Sequence, residues 1–140
     1  NETSTVGCRA CTVIYIVGAS IMKVNWVTIY VSDLEKSLFF YTNLLNLGIA
    51  EKFGSSDHQI VMLGKKDETK IELICETGKK IGNPGNGVSI GLEADDLEQL
   101  ISILQKNGYQ PMGPISPNPR IRFYFVKDPD GYTVQLVKQE

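Results

Sequence analysis

Histidine is nearly missing from this chain: His58 is the only one in 140 residues. That leaves little material for imidazole-based metal chemistry. Cysteine is also sparse, and its count of three is odd. With Cys75 inside an apolar, strand-like run, a disulfide framework of the small secreted kind is not expected, and a reducing cytoplasm is the simplest setting. There is no excess of either charge. Fourteen Lys and Arg face sixteen Asp and Glu, a formal net charge of −2, which excludes the electrostatic footprint of a nucleic-acid or anionic-membrane binder. Long apolar runs are missing too. Residues 12–22 (TVIYIVGASIM) are the only such run outside the patterned region, and they fall short of the about 20 residues that cross a bilayer. Only Arg9 precedes them and no convincing cleavage site follows, so an export signal is not expected.

What is present is enough for one core. Hydrophobic residues make up 42% and charged residues 21%, and the 13 Gly and 6 Pro are ordinary usage, so neither disorder nor low complexity describes the chain. Residues 1–21 are small, Thr/Cys/Val-rich and without helical period, and read as an N-terminal appendage to a single domain over 22–140. The Cys8–Cys11 pair has C-x-x-C spacing. It lacks the four ligands of a structural zinc site and the strand-to-helix setting of a redox motif, so both are read as incidental thiols.

From Val24 the chain alternates as a strand, with Val27, Ile29 and Val31 on one side and Trp26, Thr28 and Tyr30 on the other. The following S-D-L-E predicts a capping box with Ser32 as N-cap and Glu35 reaching back. Leu34, Leu38, Tyr41 and Leu45, broadened by Phe40 and Leu44, supply the helix's apolar stripe, and Gly48 suits a left-handed C-terminal cap. Strand-like runs near 49–53, 58–63 and 69–75 complete a β-α-β-β-β module over 24–76. A shift of 63 residues then carries Asp33-Leu34-Glu35 onto Asp96-Leu97-Glu98, Ser32 onto Asp95, Ile29 onto Leu92, and Ile71 and Leu73 onto Val134 and Leu136. The second module, 87–138, has a helix ending at Asn107-Gly108. Its strands lie near 88–93, 109–112, 121–127 and 132–138, the last two joined by the D-P-D-G turn at 128–131. The glycine-rich stretch 77–87 lacks the context of a phosphate-binding loop and reads as a connection. The fold class expected is α+β: two tandem βαβββ modules forming a curled mixed sheet around a cleft.

The helices must cover the sheet face that carries Val27, Ile29, Val31, Ile71 and Leu73. The opposite face then carries Trp26, Thr28, Tyr30, Lys70, Glu72 and Ile74, with Ser89, Gly91, Glu93, Thr133, Gln135 and Val137 from the second module. That mixture of aromatic bodies and a few polar groups is the chemistry of a small-molecule site. Four segments carry a resemblance: WVTIYVSDLEKSLFFY at 26–41, KIEL at 70–73, GVSIGLEADDL at 87–97 and FVKDPDGYTVQL at 125–136. Over about 24–138 the sequence resembles the vicinal-oxygen-chelate superfamily, which includes glyoxalase I, bleomycin-resistance proteins, fosfomycin-resistance enzymes and extradiol dioxygenases. The resemblance implies paired modules around a cleft, commonly in a homodimer.

In metal-dependent members, four ligands, usually His and Glu, come from the first and last strands of each module. The matching positions here are Trp26, Glu72, Ser89 and Gln135, two pairs related by the same shift of 63. Indole has no lone pair to offer, a serine hydroxyl is a weak neutral ligand and a glutamine carbonyl lacks charge, so Glu72 alone is a strong donor. His58 matches none of the four. The expectation is a cytoplasmic, metal-independent binding protein with no cofactor, of the bleomycin-resistance type. Trp26 and Tyr30 would stack on the ligand and Glu72 would anchor it. Ser89, Arg122, Tyr124 and Gln135 complete the expected ligand-binding set, and the Pro-rich 111–119 is expected to be a stiff loop at the cleft mouth.

Two plainer roles compete at these positions: Trp26 as a core or interface aromatic, and Glu72 as an ion-pair partner of Lys70 or Arg122. A different function also fits. It is a lactoylglutathione-lyase-like lyase or isomerase, with or without a divalent metal, in which Glu72 is the catalytic base and Arg122, Tyr124 or Gln135 steadies an oxyanion. A third destination for the open face is a partner protein or second subunit with no ligand. Neither nucleic acid nor membrane is an expected partner.

Overall fold

The computed structural model describes residues 3–8, 11–16 and 22–140, the first two ranges by their backbone alone. In that backbone, β1 (Thr3–Cys8) and β2 (Cys11–Ile16) form an antiparallel hairpin. The side chains of Cys8 and Cys11, and hence the reading of both as incidental thiols, lie outside what is described.

The first module runs β3 (Trp26–Tyr30), helix α1 (Leu34–Leu38) with a widened continuation (Phe39–Leu44), β4 (Ile49–Gly54), β5 (His58–Leu63) and β6 (Lys70–Glu76). The second runs β7 (Ser89–Glu93), α2 (Leu97–Lys106), β8 (Met112–Asn118), β9 (Ile121–Lys127) and β10 (Thr133–Gln139). Each module closes its own mixed four-stranded sheet, ordered β3-β6-β5-β4 and β7-β10-β9-β8. The first strand pairs parallel with the last in both, which is what an intervening crossover helix permits.

Helix starts differ by one residue from the expected caps. Asp33, not Ser32, accepts the first-turn N–H of Lys36, at 3.2 Å. Asp96, not Asp95, does the same for Gln99, at 3.1 Å. Both shift together, so the 63-residue repeat survives the correction. Ser32 is taken up elsewhere: its hydroxyl accepts the N–H of Ile81 at 2.7 Å, and its own N–H donates to both carboxylate oxygens of Asp130 at 3.2 and 3.1 Å. The C-terminal end of the first helix also departs from expectation. The Leu45 N–H reaches back five residues to the Phe40 carbonyl, and Asn46 rather than Gly48 adopts the left-handed conformation, φ 62°. The second helix ends as read, with Gly108 at φ 87° after Asn107. The Pro-rich stretch is not a loop: Met112–Asn118 is an edge strand paired irregularly with β9, a position that tolerates proline because half of its backbone groups need no partner.

One core joins the modules. Ile29, Val31, Phe40, Tyr41, Leu63 and Leu73 of the first pack with Leu97, Leu104, Tyr124, Val134 and Leu136 of the second, all buried. Phe40 lies 4.9 Å, ring to ring, from Tyr109. At this junction Asp128 is buried, with 4% of its surface exposed. It accepts the Tyr41 hydroxyl at 2.7 Å through one oxygen and the N–H groups of Asp130 and Tyr132, each at 2.9 Å, through the other. Burial raises its pKa nonetheless, with these donors opposing, and burial and the same carboxylate push the Tyr41 hydroxyl upward.

Candidate functional site

Because helices cover one face of each sheet, the other faces stay open, and strand parity decides what they display. On β3, Trp26 is 52% and Tyr30 45% exposed while Ile29 between them is buried. Neither aromatic is a core residue. The parallel register sets Trp26 opposite Lys70, Thr28 opposite Glu72 and Tyr30 opposite Ile74. Thr28 and Glu72 form the polar centre of this face: the Thr28 hydroxyl donates to one Glu72 carboxylate oxygen at 2.6 Å. Met62 is Glu72's neighbour on β5.

Neither of the ion pairs considered for Glu72 is made. The Lys70 ammonium turns to the Lys66 and Glu68 carbonyls at 2.8 and 3.0 Å. The Arg122 guanidinium pairs with Glu98 on α2 at 2.7 Å. Glu72 is thus half-buried and accepts one short hydrogen bond from the Thr28 hydroxyl, and among the described residues its second oxygen has no partner.

The second sheet repeats this geometry with different groups. Gln135 stands opposite Gly91 as Glu72 stands opposite Thr28, and its side-chain oxygen lies 3.6 Å from where a Cβ on Gly91 would be. Ser89 is exposed at the start of β7. Arg122 and Tyr124 are not brought to this face. Tyr124 pairs with Leu136 across β9 and β10 and is buried on the helix side, its hydroxyl 3.4 Å from Glu98. Arg120 and Arg122 instead border a separate cavity of about 270 Å³ at the start of α2. Phe123 and Phe125 have the parity of Gln135 and Val137, with rings 5.4 Å apart in an edge-to-face pair. Counting outward from the D-P-D-G turn would have found them. His58 is remote from Glu72 in this arrangement, its Nδ1 3.2 Å from Glu76 at the other end of β6.

As a metal centre the four matched positions do not fit. One carboxylate already holding a hydroxyl, an exposed indole, a hydroxyl and a primary amide do not assemble a divalent-ion site. Among the described residues, no group of three or more His, Cys, Asp or Glu is placed to hold an ion. Also among them, no helix is long and apolar enough to cross a membrane.

The comparisons with known proteins agree with this architecture. The model of the Glyoxalase/Bleomycin resistance protein/Dioxygenase superfamily matches residues 23–136. Lactoylglutathione lyase of Salmonella typhimurium is 28% identical over 126 residues, covering 84% of this chain and 93% of that protein. Among solved structures, trypanothione-dependent glyoxalase I of Leishmania major superposes with a TM-score of 0.73 at 23% identity, over 84% of this chain and 87% of its own. TnmS3, an antibiotic-binding protein from Streptomyces sp. CB03234, superposes with a TM-score of 0.67 at 22% identity, over 87% and 99%.

Proposed function

The chain belongs to the Glyoxalase/Bleomycin resistance protein/Dioxygenase superfamily, and from that premise we propose that it is a metal-independent small-molecule-binding protein, working as a cytoplasmic homodimer. Its ligand is an aromatic or cationic molecule held on the open sheet face by Trp26, Tyr30 and Glu72, with Ser89 and Gln135 as polar contacts from the second module. One observation carries the reading. At the four positions where metal-dependent members place ligands, this chain has one carboxylate hydrogen-bonded to Thr28 and three groups unsuited to a divalent ion. The open face of the first module is good for binding: the exposed rings of Trp26 and Tyr30 beside the Glu72 carboxylate suit a cation or an electron-poor ring. The antibiotic-binding neighbour supports such a use of the fold. Phe53 and Met112, exposed on the open faces of their sheets among the described residues, support a second copy as partner.

The alternative, a lyase or isomerase with Glu72 as base, draws on the names of the curated relatives. It has less to work with. Arg122 and Tyr124 lie on the helix side of their sheet, leaving Gln135 as the remaining oxyanion partner of the expected three. Two titrations separate the readings. Trp26, the single tryptophan, should be quenched saturably by benzyltrimethylammonium, with the affinity falling about tenfold, or ~1.4 kcal/mol, in Glu72→Gln. Calorimetry of metal-stripped protein with manganese, nickel and zinc should give no binding that depends on Glu72. Tight binding of one ion per chain, abolished in Glu72→Ala, would overturn metal independence and direct assays to hemithioacetal substrates.

A further inference from the structure

Between the free edge of β3 and the start of β7 lies a gap of about 210 Å³ that belongs to neither sheet face. Its walls are aliphatic: Val27 and Ile29 on one side, Val88 and Ile90 on the other, with Pro84 of the connecting loop. Three hydroxyl-bearing residues also line it, and each hydroxyl makes one hydrogen bond. Thr28 donates to Glu72, Tyr132 donates to the Tyr30 carbonyl at 2.8 Å, and Thr133 accepts from Lys127. The side chains therefore offer an occupant mostly apolar surface, apart from exposed Asn86 and the Thr133 hydroxyl proton. For scale, a cavity of about 150 Å³ lined by apolar side chains takes up benzene.

The polar exception is backbone. On β3, the Asn25 carbonyl accepts from Lys70 and the Val31 N–H donates to Ile74, each at 2.9 Å, so the odd-numbered residues face β6. Alternation turns the N–H and C=O of Thr28 the other way, the side on which the Tyr30 carbonyl meets Tyr132. β3 pairs with no strand on that side and β7 pairs only with β10, so among the described residues the Thr28 amide groups have no strand partner. A gap with aliphatic walls and one unpaired strand-edge donor and acceptor is selective: it suits a flat apolar group that brings its own hydrogen-bonding pair.

We propose that this gap is a binding subsite for a single-ring, amide-bearing group of a small molecule, its ring against Val27, Ile29, Val88 and Ile90 and its amide on the Thr28 backbone. The subsite shares Thr28 with the open face but does not use Glu72, so it goes beyond the function proposed above and stands or falls separately.

Benzamide is the probe. Titrated into the full chain labelled in methyl groups and backbone amides, it should bind in the millimolar range, shift the Thr28 N–H, and give ring-proton Overhauser contacts to the Val27, Ile29 and Ile90 methyl or methylene protons. Val88→Trp fills the mouth from a position 75% exposed, where the fold is not at stake, and should weaken binding at least tenfold. Glu72→Gln should leave it within about twofold. Contacts that map elsewhere, unchanged affinity in Val88→Trp, or no saturable shift would overturn the subsite. Loss of benzamide binding in Glu72→Gln would overturn it as well, by placing the probe on the open face, while leaving the Glu72 reading intact. Quenching by benzyltrimethylammonium without any benzamide binding would separate the two in the same way.

Discussion

Removing the Tyr41 hydroxyl tests whether the buried junction between the modules is as consequential as its geometry implies. In Tyr41→Phe, one oxygen of Asp128 loses a 2.7 Å donor in a site with 4% exposure, while the ring keeps its edge-to-face contact with Phe40 at 4.9 Å. A hydrogen bond to a charged acceptor is worth about 1.5–3 kcal/mol and a neutral one about 0.5–1.5, so the cost should depend on the charge of Asp128. Its folded pKa is raised. The folded state therefore binds that proton more tightly than the unfolded state, and the stability Asp128 contributes is full below the unfolded pKa and is lost as pH rises through the folded value. Tyr41 is one of the groups opposing that rise, so Tyr41→Phe raises the folded pKa further and steepens the loss. Urea unfolding should show a destabilisation of about 2 kcal/mol near pH 8, shrinking to about 1 near pH 4.5. The melting temperature at the higher pH should fall by roughly 5–8 °C. A penalty that is equal at both pH values, or below about 0.5 kcal/mol at either, would refute the assignment of Asp128 as a buried carboxylate sustained by Tyr41.

Three other substitutions probe local structure. Asp33→Ala should cost about 1 kcal/mol and speed hydrogen exchange at the Lys36 amide; Ser32→Ala should instead expose the Ile81 amide, and the reverse pattern would restore Ser32 as the cap. Gly54 has φ 99° at the end of β4, and a Cβ there would collide with the His58 carbonyl. Gly54→Ala should therefore destabilise by at least about 1–3 kcal/mol in thermal melts, and a neutral result would mean that the β4–β5 turn has another geometry.

Much of the fold was legible because helical stripe, strand alternation and the 63-residue shift all pointed to the same two modules. What was misread, the same shift could have corrected. Subtracting 63 from Tyr124 and Val126 gives Val61 and Leu63, which pair with the helix-side Leu73 and Ile71, so Tyr124 belongs to the helix side and Phe123 and Phe125 to the open one. Subtracting it from Met112 gives Ile49, the first residue of β4, which marks the Pro-rich stretch as a strand. The caps were missed for a physical reason. In S-D-L-E both Ser32 and Asp33 are good N-caps, and the Ser32 hydroxyl is taken instead by the N–H of Ile81, 49 residues away. The Thr28–Glu72 bond was equally out of reach, because a register of β3 on β6 is set by the whole sheet and not by either segment.

The repeat also separates what folding requires from what the open face does. Pairs 63 apart on the helix side keep their chemistry: Ile29 and Leu92, Leu34 and Leu97, Ile71 and Val134, Leu73 and Leu136 are all apolar, and Asp33 and Asp96 both cap. Four pairs on the open side do not, although Ile74 and Val137 stay apolar: Trp26 matches Ser89, Thr28 matches Gly91, Tyr30 matches Glu93 and Glu72 matches Gln135. Both sets share the same backbone register, since Thr28 faces Glu72 as Gly91 faces Gln135. Backbone geometry is therefore not what distinguishes the two half-faces. At those four pairs the halves differ in size, charge or aromaticity, so they do not repeat one set of donor groups. The two half-faces are therefore unequal: Trp26, Tyr30 and Glu72 stand on the first, and Gln135, Glu93 and the Phe123–Phe125 pair on the second. Such an unequal pair of half-faces supports the proposed reading, a flat ligand that lies against Trp26 and Tyr30 and meets the Glu72 carboxylate.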